Sequence, residues 1–337
     1  MNATDGSGDY SDGLTFHLIA LLLPILLLVM AGQFATNHYE DRAQVATTAK
    51  AYTQAQAQLT VERIETILHT VMVAATSLQT FVASESDQNM LERFVRGLLD
   101  QNRTILGMAV AVESPGAESA ARYWYRRIDG SIAYRDIAAT DPQFRLYEWY
   151  STPVSSGQPM WTEPYFDAAG AETNMVTFSL PVVAIDNSGK PIGVVTADLG
   201  LGSLQDMVNG LTGNGSGFLL SRGGIFLGRS EKTDVLLASI FEDTAPTPLR
   251  RTLAEHMRRG ETGLIATEEA GGSQLWTALV PIRETGWFLS ISYPMHTFLP
   301  KMMSRAPCWR SRPASDFYCW RRRSVSSSGR QSILWRR

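Results

Sequence analysis

The sequence predicts an α+β protein in which a transmembrane helix and a long stalk helix precede two tandem units built on antiparallel sheets. Three observations support this fold class: an almost wholly apolar run near the N-terminus, a long helical pattern after it, and two successive groups of strand patterns. The 337 residues carry a net charge of -3, so the chain is long enough for two small domains and has no general nucleic-acid footprint. We therefore expect no nucleic-acid partner.

A transmembrane helix is predicted for residues 14–35, because residues 16–34 are apolar with few exceptions. A membrane-spanning helix needs about 20 apolar residues, and this run is just long enough. One alternative is a cleaved signal peptide, but no Lys or Arg precedes the run. The other is a buried core helix, which fits poorly beside so polar a terminus. The polar residues 1–13 are predicted to be a disordered tail.

Residues 36–101 are predicted to form stalk helices that continue from the span. Residues 36–84 contain neither Gly nor Pro, and Asp87 is predicted to cap a second helix. Apolar residues recur at helical spacing at Leu59, Ile64, Ile67, Leu68, Val71 and Ala75. A stalk of this length also suggests a homodimer formed through helix packing.

Strand patterns fill the rest of the chain and divide into two units, residues 102–210 and 211–300. In the first unit, Asp129-Gly130 between two strand patterns predicts a hairpin. A short helix is predicted from Ser203, and the turn-rich residues 212–216 mark the boundary between the units. The second unit repeats the layout of the first at smaller size, so we expect two units of the same kind.

Four motifs lie in the first unit: EWY at 148–150, WTEPYFDAAG at 161–170, MVTFSLP at 175–181 and GVVTADL at 193–199. With these motifs, and in its layout over residues 36–300, the chain resembles the double Cache family. These are the tandem PAS-like sensor domains of bacterial transmembrane receptors. The sequences of the four motifs are most similar to those of sensors that precede HAMP and sporulation-type PP2C phosphatase outputs. Sensors of this family also precede chemoreceptor, kinase and cyclase outputs.

The resemblance implies an input domain for signal transduction in the bacterial inner (plasma) membrane, with its main domain periplasmic or extracellular. The first unit is then membrane-distal and binds a small molecule, either an amino acid, an amine or a small carboxylate. The second unit is membrane-proximal. The chain is expected to lack the phosphatase, kinase or cyclase output that such sensors control, and so to have no enzymatic activity. The alternative, from a different class, is an anchored structural or interaction protein with a vestigial pocket.

The resemblance also implies a set of ligand-binding residues. In amino-acid-binding members, a Trp-Tyr pair, a later Tyr and a strand Asp hold the ligand, and these match Trp149, Tyr150, Tyr165 and Asp198. The Arg that grips the ligand carboxylate in those members normally stands where Tyr147 stands here.

Two further candidates follow from this departure and from the strand pattern. Arg145 is the Arg nearest to the expected position, and a guanidinium suits bidentate binding of a carboxylate. Thr177 shares a strand face with Ser179, so its hydroxyl is a candidate for the pocket. Because the Arg is displaced, the sequence does not fix the ligand as an ordinary amino acid.

Each of these residues also has a structural interpretation. Asp198 could instead cap the helix that follows it, since a buried carboxylate needs a donor in either case. The aromatic residues could pack in a core beneath a long loop, and Trp161 and Pro164 are interpreted as structural. Arg145 could be a solvated loop charge, and the strand face of Thr177 could be open to water.

No metal, cofactor or catalytic site is expected. The five histidines are scattered without metal-ligand spacing. Asp186-Asn-Ser-Gly189 is similar to the start of a calcium loop but lacks the later bidentate Glu, so a hairpin turn is predicted there. The chain also lacks a local signature of a Ser/His/Asp or Cys/His nucleophile.

Residues 301–337 form a basic tail that departs in composition from everything before it. Both cysteines and nine arginines lie in it, against the single acid Asp316. We interpret this tail as the product of a frameshift or truncation near Ser304, which would remove a second span. The alternative is a basic segment that binds anionic lipid or nucleic acid. Resequencing the locus distinguishes the two, because truncation requires an intact second span in another reading frame.

Overall fold

The computed structural model describes residues 9–84, 87–113, 120–168, 170–183, 189–212, 215–230, 238–244, 246–268 and 274–298. The predictions made for residues 1–8, for the turn residues 186–188 and for the basic tail 301–337 lie outside the described residues.

A single helix, α1 (Asp9–Ser84), includes both the predicted span and the predicted stalk. It begins earlier than predicted, because residues 9–13, which were assigned to a disordered tail, are helical. Once an apolar run has nucleated a helix, each further residue adds one hydrogen bond, so polar residues can extend it. Pro24 is accommodated inside the helix.

One stripe of α1 packs against the sheets. Its buried residues alternate in spacings of four and three: Ala57, Val61, Ile64, Leu68, Val71, Ala75 and Leu78. This spacing keeps an apolar stripe on one side of a helix. Four of the six predicted apolar positions belong to the stripe, and Ile67 is partly buried beside it. Leu59 is 50% exposed, contrary to prediction, because it stands two residues from Ala57 and so points to the opposite side.

The N-terminal part of α1 instead carries exposed apolar surface. Leu21–Thr36 is an apolar segment in which large side chains are exposed, for example Leu28 at 75%. Within the described residues, Ala43–Ser84 is long and apolar enough to cross a membrane, whereas Leu21–Thr36 is a shorter apolar helix. The stripe of this second segment is buried against the sheets, so Ala43–Ser84 is a core helix of the sheet units.

A second helix, α2 (Gln88–Gln101), begins at the predicted cap. The Asp87 carboxylate accepts hydrogen bonds from the backbone N–H groups of Asn89 at 2.7 Å and Met90 at 3.1 Å, which satisfies donors that the first turn leaves free. The buried side of α2 consists of Leu91, Val95 and Leu99.

The first sheet has seven antiparallel strands within the described residues. In space their order is β3-β2-β1-β7-β6-β4, and β5 also pairs with β6. Gly130, with φ 85°, supplies the left-handed conformation of the predicted β2–β3 hairpin. The elements along the chain are β1 (Gly107–Val112), β2 (Ala120–Arg126), β3 (Ile132–Asp136), α3 (Ile137–Thr140), α4 (Glu148–Ser156), β4 (Met160–Trp161), β5 (Tyr165–Phe166), β6 (Asn174–Val183) and β7 (Pro191–Gly200).

The second sheet has five antiparallel strands in the order β10-β11-β12-β8-β9, again counted over the residues described. A helix, α5 (Leu201–Thr212), links the sheets; it begins two residues before Ser203 and extends past the predicted unit boundary. The later elements are β8 (Ser216–Leu220), β9 (Phe226–Arg229), α6 (Pro248–Arg259), β10 (Gly263–Glu268), β11 (Gln274–Ile282) and β12 (Trp287–Pro294). The predicted α+β class with two antiparallel sheets is confirmed.

Both sheets pack against α1, but at different points along it. Lys50 Nζ lies 4.3 Å from the centroid of the Trp276 ring, and the rings of Tyr52 and Tyr293 are 5.1 Å apart. These contacts place the second sheet beside the N-terminal half of the stalk. Farther along, the buried stripe reaches the first sheet at β6 and β7. The second sheet is therefore closer along α1 to the apolar segment Leu21–Thr36.

The side chains of the first sheet alternate between its two faces, as a period of two requires. One face packs against α1 and α2 through residues that include Met108, Val110, Trp124, Val176, Phe178, Ala197 and Leu199. The opposite face packs against α3 and α4. At its centre this second face carries Ala109, Tyr123, Thr177, Thr196 and Asp198, which are small or polar compared with the first face.

Candidate ligand-binding site

A cavity of about 540 Å³ lies on the second face of the first sheet. The sheet forms its floor, and α3, the start of α4 and residues 162–168 form its walls. Tyr147, Glu148 and Phe166 are exposed, so the cavity opens to solvent on their side. This size and this mixture of aromatic and polar walls suit a small organic molecule.

Asp198 lies at the buried end of the cavity and is only 3% exposed. It stands directly opposite Thr177 on the neighbouring strand, and the Thr177 hydroxyl donates a hydrogen bond of 2.8 Å to Asp198 Oδ1. Tyr165 Oη lies 2.8 Å from Thr177 Oγ1. Because the Thr177 proton is directed to Asp198, Tyr165 donates in this second bond. The hydroxyl groups of Tyr165 and Thr177 thus form a hydrogen-bonded chain, here called the hydroxyl relay, that ends on the Asp198 carboxylate.

Burial raises the pKa of Asp198 from 3.8 to about 7. The Thr177 hydroxyl and the Tyr123 phenol oppose this rise, and the nearby Asp167 carboxylate adds to it. Desolvation disfavours the charged form of a carboxylate, so the Asp198 side chain ionises only near neutral pH unless a cation stabilises the charge. A cationic group placed in the cavity would supply that stabilisation.

Tyr123 forms another part of the floor and was not singled out from the sequence. Its ring packs over Gly107, whose strand neighbour is Asp198; a Cβ at Gly107 would lie 2.6 Å from Tyr123 Cε2. Tyr123 Oη is buried and makes no hydrogen bond of standard geometry with the described residues. Burial raises the pKa of this phenol well above 10, with a further contribution from the Asp198 charge. The phenol therefore stays neutral at physiological pH and lies close enough to Asp198 to stabilise its charged form.

Four of the six predicted site residues line the cavity: Trp149, Tyr165, Thr177 and Asp198. The sheet brings Thr177 and Asp198 together by register, and α4 and β5 bring the two aromatic residues over them. The structural alternative for Asp198, a cap on the following helix, does not describe its contacts, since its carboxylate accepts from Thr177.

The other two predicted residues, Tyr150 and Arg145, lie outside the cavity lining. The Arg145 guanidinium forms an ion pair with Glu113 at 2.9 Å and stacks over the Phe144 ring at 4.6 Å. Tyr150 Oη also reaches Glu113, at 3.2 Å, and burial raises the pKa of this phenol to about 12. Trp149 and Tyr150 are consecutive on α4 and point about 100° apart, so Trp149 alone of the two faces the cavity.

Of the two residues interpreted as structural, Trp161 lies outside the cavity and Pro164 lines it. Trp161 is buried between Phe178 and Trp287, at centroid distances of 5.3 Å and 5.6 Å, and does not line the cavity. Pro164 does line it. Since Trp287 belongs to the second sheet, Trp161 packs between the two units.

Glu163 connects the cavity wall to the second unit. Its Oε1 accepts a hydrogen bond from the Gly223 backbone N–H at 3.1 Å and lies 3.6 Å from the Arg222 guanidinium. Its own backbone N–H donates to Glu148 Oε2 at 3.3 Å, at the start of α4. A continuous set of contacts thus runs from α4, through the cavity wall, to the turn before β9.

Carboxylates dominate the charge of the cavity. Of the residues that the structure describes, five carboxylates line it, and no Lys, Arg or His does. Sequence reasoning identified only one of the five; the others lie on loops or at helix ends, where no periodic pattern marks them. The full set is Asp141, Glu148, Glu163, Asp167 and Asp198. Among the described residues, no three His, Cys, Asp or Glu side chains gather closely enough to hold a metal ion.

Residues 91–206 match the family of the first PDC sensor domain of methyl-accepting-chemotaxis-protein-like receptors. The chain is 30% identical over 177 positions to the methyl-accepting chemotaxis protein TlpQ of Pseudomonas aeruginosa, covering 43% of this chain and 24% of TlpQ. It is 33% identical over 126 positions to PctB of the same organism, covering 35% of this chain and 19% of PctB. The match thus spans a quarter or less of these curated relatives.

Solved structures share the fold over most of the chain. The extracellular domain of the candidate histidine kinase soHK1S-Z6 gives a TM-score of 0.63 at 18% identity, covering 77% of this chain and 99% of that domain. Methyl-accepting chemotaxis protein X gives 0.60 at 18% identity, covering 74% and 99%. The sensory domain of the Campylobacter jejuni chemoreceptor Tlp3 with isoleucine bound gives 0.57 at 14% identity, covering 77% and 97%.

These matches are to chemoreceptors and histidine kinases, so the predicted nearness to phosphatase receptors stays a prediction. The double-sheet architecture, the long N-terminal helix and the match of the first unit all agree with the predicted family. Residues 91–206 thus match the PDC (Cache-like) sensor domain of chemotaxis-protein-like receptors, and the chain as a whole shares the two-sheet fold of the extracellular sensor domains of chemoreceptors and histidine kinases.

Proposed function

We propose that this chain is a membrane-anchored sensor whose first unit binds a small organic molecule outside the cytoplasm. One observation carries the proposal: an aromatic cavity that closes over a buried carboxylate, Asp198, held by a hydroxyl relay. A buried carboxylate with a raised pKa is unfavourable without a charged partner, so such a site suits ligand binding better than stability.

The proposed anchor is the predicted transmembrane helix at residues 14–35. The exposed apolar side chains of Leu21–Thr36 support it, because an apolar surface of this kind needs lipid or a partner to cover it. The second sheet would then lie nearer the membrane and the first farther away. We place the protein in the bacterial inner membrane, with both sheets on the periplasmic or extracellular side.

The class of ligand follows from the site. Tlp3, a structural neighbour, has been solved with isoleucine and with L-valine bound. In this chain, a ligand ammonium group would pair with Asp198, and its apolar part would lie against Trp149 and Tyr165. Cation–π contact with these aromatic faces favours the same orientation.

We propose that the ligand signal passes to the second unit through the cavity wall. A ligand that draws α4 towards the sheet would move Glu148 and, through its contact with the Glu163 backbone, the contacts with Gly223 and Arg222. The second unit packs on α1, which continues to the proposed span. The ligand can shift this equilibrium only by binding one of the two arrangements more tightly.

We also propose a homodimer through the exposed side of α1. Leu59 and Val73 are each 50% exposed and stand 14 residues apart, which is two heptads, on the side opposite the buried stripe. Light scattering of the full chain in detergent tests the mass. We expect a dimer for the wild type and a monomer for Leu59→Glu/Val73→Glu, and a monomeric wild type would contradict the proposal.

Thermal unfolding of the full chain in detergent tests the sensor function. Amino acids, amines and short carboxylates are screened, and a ligand at 100 times its Kd should stabilise the native state by about 2.7 kcal/mol. The shift should disappear in Asp198→Ala and persist in the control Asp206→Ala, which changes an exposed acid on α5. A panel without any stabilising compound would favour the anchored interaction protein, and a shift retained in Asp198→Ala would place the site elsewhere.

A further inference from the structure

We propose that the cavity takes a ligand with two cationic groups, a small diamine, in preference to a zwitterionic amino acid. This inference rests on the proposed sensor function and specifies its ligand. It follows from the distribution of charge in the cavity, where the part of the chain that the structure describes contributes five carboxylates to the walls and no basic side chain.

A ligand carboxylate would find no cationic partner among the residues that line the cavity. Arg145, the predicted clamp, is held outside by Glu113 at 2.9 Å. Arg222, on the second unit, lies beside Glu163 at 3.6 Å but does not line the cavity. The partial positive charge at the N-terminus of α4 is offset by Glu148 in the first turn of that helix.

The carboxylates divide between two ends of the cavity. Asp198 lies at the buried end, with the half-buried Asp167 near enough to act on it, whereas Glu148 is exposed at the open end and Asp141 accepts from the exposed Tyr147 there. Glu163 is engaged by the second unit. A ligand with one ammonium group at Asp198 and a second at the open end would pair with both regions of negative charge.

The hydrogen-bond donors to Asp141, Glu148 and Asp198 are neutral groups, which do not cancel the charge of these three carboxylates. Asp141 accepts from the Tyr147 hydroxyl at 2.8 Å, and Glu148 accepts from a backbone N–H at 3.3 Å. Asp198 accepts from Thr177. Hydrogen bonds of this kind stabilise a carboxylate but do not cancel its charge, and like charges brought into such a site are strongly disfavoured.

The shape of the charge distribution favours an extended organic cation over a metal ion. Within the described residues, the carboxylates do not converge in groups of three that could hold a metal ion. Between the two charged ends, the aromatic side chains of Tyr147, Trp149 and Tyr165 line the walls. Aromatic faces bind both methylene groups and ammonium groups.

Isothermal titration calorimetry of the full chain in detergent at pH 8 tests the inference with a series of equal chain length. The probes are 1,4-diaminobutane, 1-aminobutane and 4-aminobutanoate, with L-valine and L-isoleucine as amino acids. We expect the diamine to bind at least tenfold more tightly than the monoamine, and 4-aminobutanoate to bind more weakly than either. Asp141→Asn/Glu148→Gln should reduce the ratio between diamine and monoamine to below threefold.

The possible results of the titrations distinguish a failure of the diamine inference from a failure of the proposed sensor function. If an amino acid or 4-aminobutanoate binds as tightly as the diamine or more so, the diamine inference is wrong and the sensor function stands. If neither these compounds nor the wider panel of amines and carboxylates binds, both fail. A diamine preference that is unchanged in the double variant would also overturn the inference, because the second ammonium group would then not lie at the open end.

Discussion

Thr177 and Asp198 form a directly opposed pair on β6 and β7, and the Thr177 hydroxyl donates to the buried Asp198 carboxylate at 2.8 Å. Each side chain alternates with apolar neighbours that pack on the other face against α1. One face of the sheet therefore packs in the core, and the polar pair lies at the centre of the other face. This pair is the base of the proposed ligand site.

Binding of a cationic ligand should weaken as the pH falls below 7. The ligand needs the ionised form of Asp198, whose pKa in the free protein is about 7. Below that value each unit of pH should raise Kd by up to tenfold, while above pH 8 the Kd should be nearly constant. Calorimetry at several pH values measures this profile, and a Kd that stays constant from pH 5.5 to 8.5 would show that Asp198 does not pair with the ligand.

Asp198→Asn should stabilise the free protein at pH 8 and have much less effect at pH 4. The folded-state pKa of Asp198 is raised above 3.8, so its protonated form contributes stability in acid that is lost as the pH rises from about 4 through 7. The loss is at most about 4 kcal/mol, and the neutral amide avoids it. The comparison is the difference in Tm between variant and wild type at the two pH values. A variant less stable than wild type at pH 8 would contradict the assignment.

Thr177→Val should weaken ligand binding at pH 7 more than Tyr165→Phe does. Valine has nearly the shape of threonine but lacks the donor, so the pKa of Asp198 rises further and less of it is ionised. Tyr165 acts on the carboxylate only through Thr177. We expect about a tenfold increase in Kd for the first variant, since a hydrogen bond to a charged group is worth about 1.5 kcal/mol or more. We expect a few-fold increase for the second, since a hydrogen bond between neutral groups is worth about 1 kcal/mol. The opposite order would show that Tyr165 contacts the ligand more strongly than the relay suggests.

Arg145→Ala should leave ligand affinity within about twofold of wild type, because the guanidinium pairs with Glu113 outside the cavity. The exposed ion pair contributes at most about 1 kcal/mol to stability. Trp149→Ala is the matched test inside the cavity and should raise Kd by at least about tenfold, since it removes a large aromatic wall. If Arg145→Ala abolishes binding of a carboxylate ligand, the clamp predicted from the sequence operates in a conformation other than this one.

Sequence patterns predicted the elements that rest on periodicity. The two successive groups of strands, the α2 cap at Asp87 and the hairpin at Gly130 agree with the alternation and the turn residues, whereas the short strands β4 and β5 were not predicted. The start of α1 and the orientation of Leu59 were mispredicted, because neither the extension of a nucleated helix nor the angular position of a single residue follows from apolar content alone.

The residues of the site were harder to predict from the sequence than the helices and strands, because tertiary packing decides which side chains reach the cavity. Thr177 and Asp198 share a face by strand register, which alternation reveals. By contrast, Trp149 and Tyr150 are adjacent on a helix, and only tertiary packing decides which of them faces the sheet. Asp141 and Asp167 reach the cavity from irregular segments whose path depends on the whole fold.

Proton release on binding tests the central claim most directly. At pH 6 the Asp198 carboxylate, with a pKa of about 7, is mostly protonated in the free protein. Calorimetry in buffers of different ionisation enthalpy, with 1,4-diaminobutane or the tightest compound of the panel, gives the number of protons exchanged. The account predicts the release of close to one proton by the wild-type chain and none by Asp198→Asn at any measurable binding. Proton uptake, or tight binding without proton exchange, would contradict a ligand ammonium group paired with Asp198.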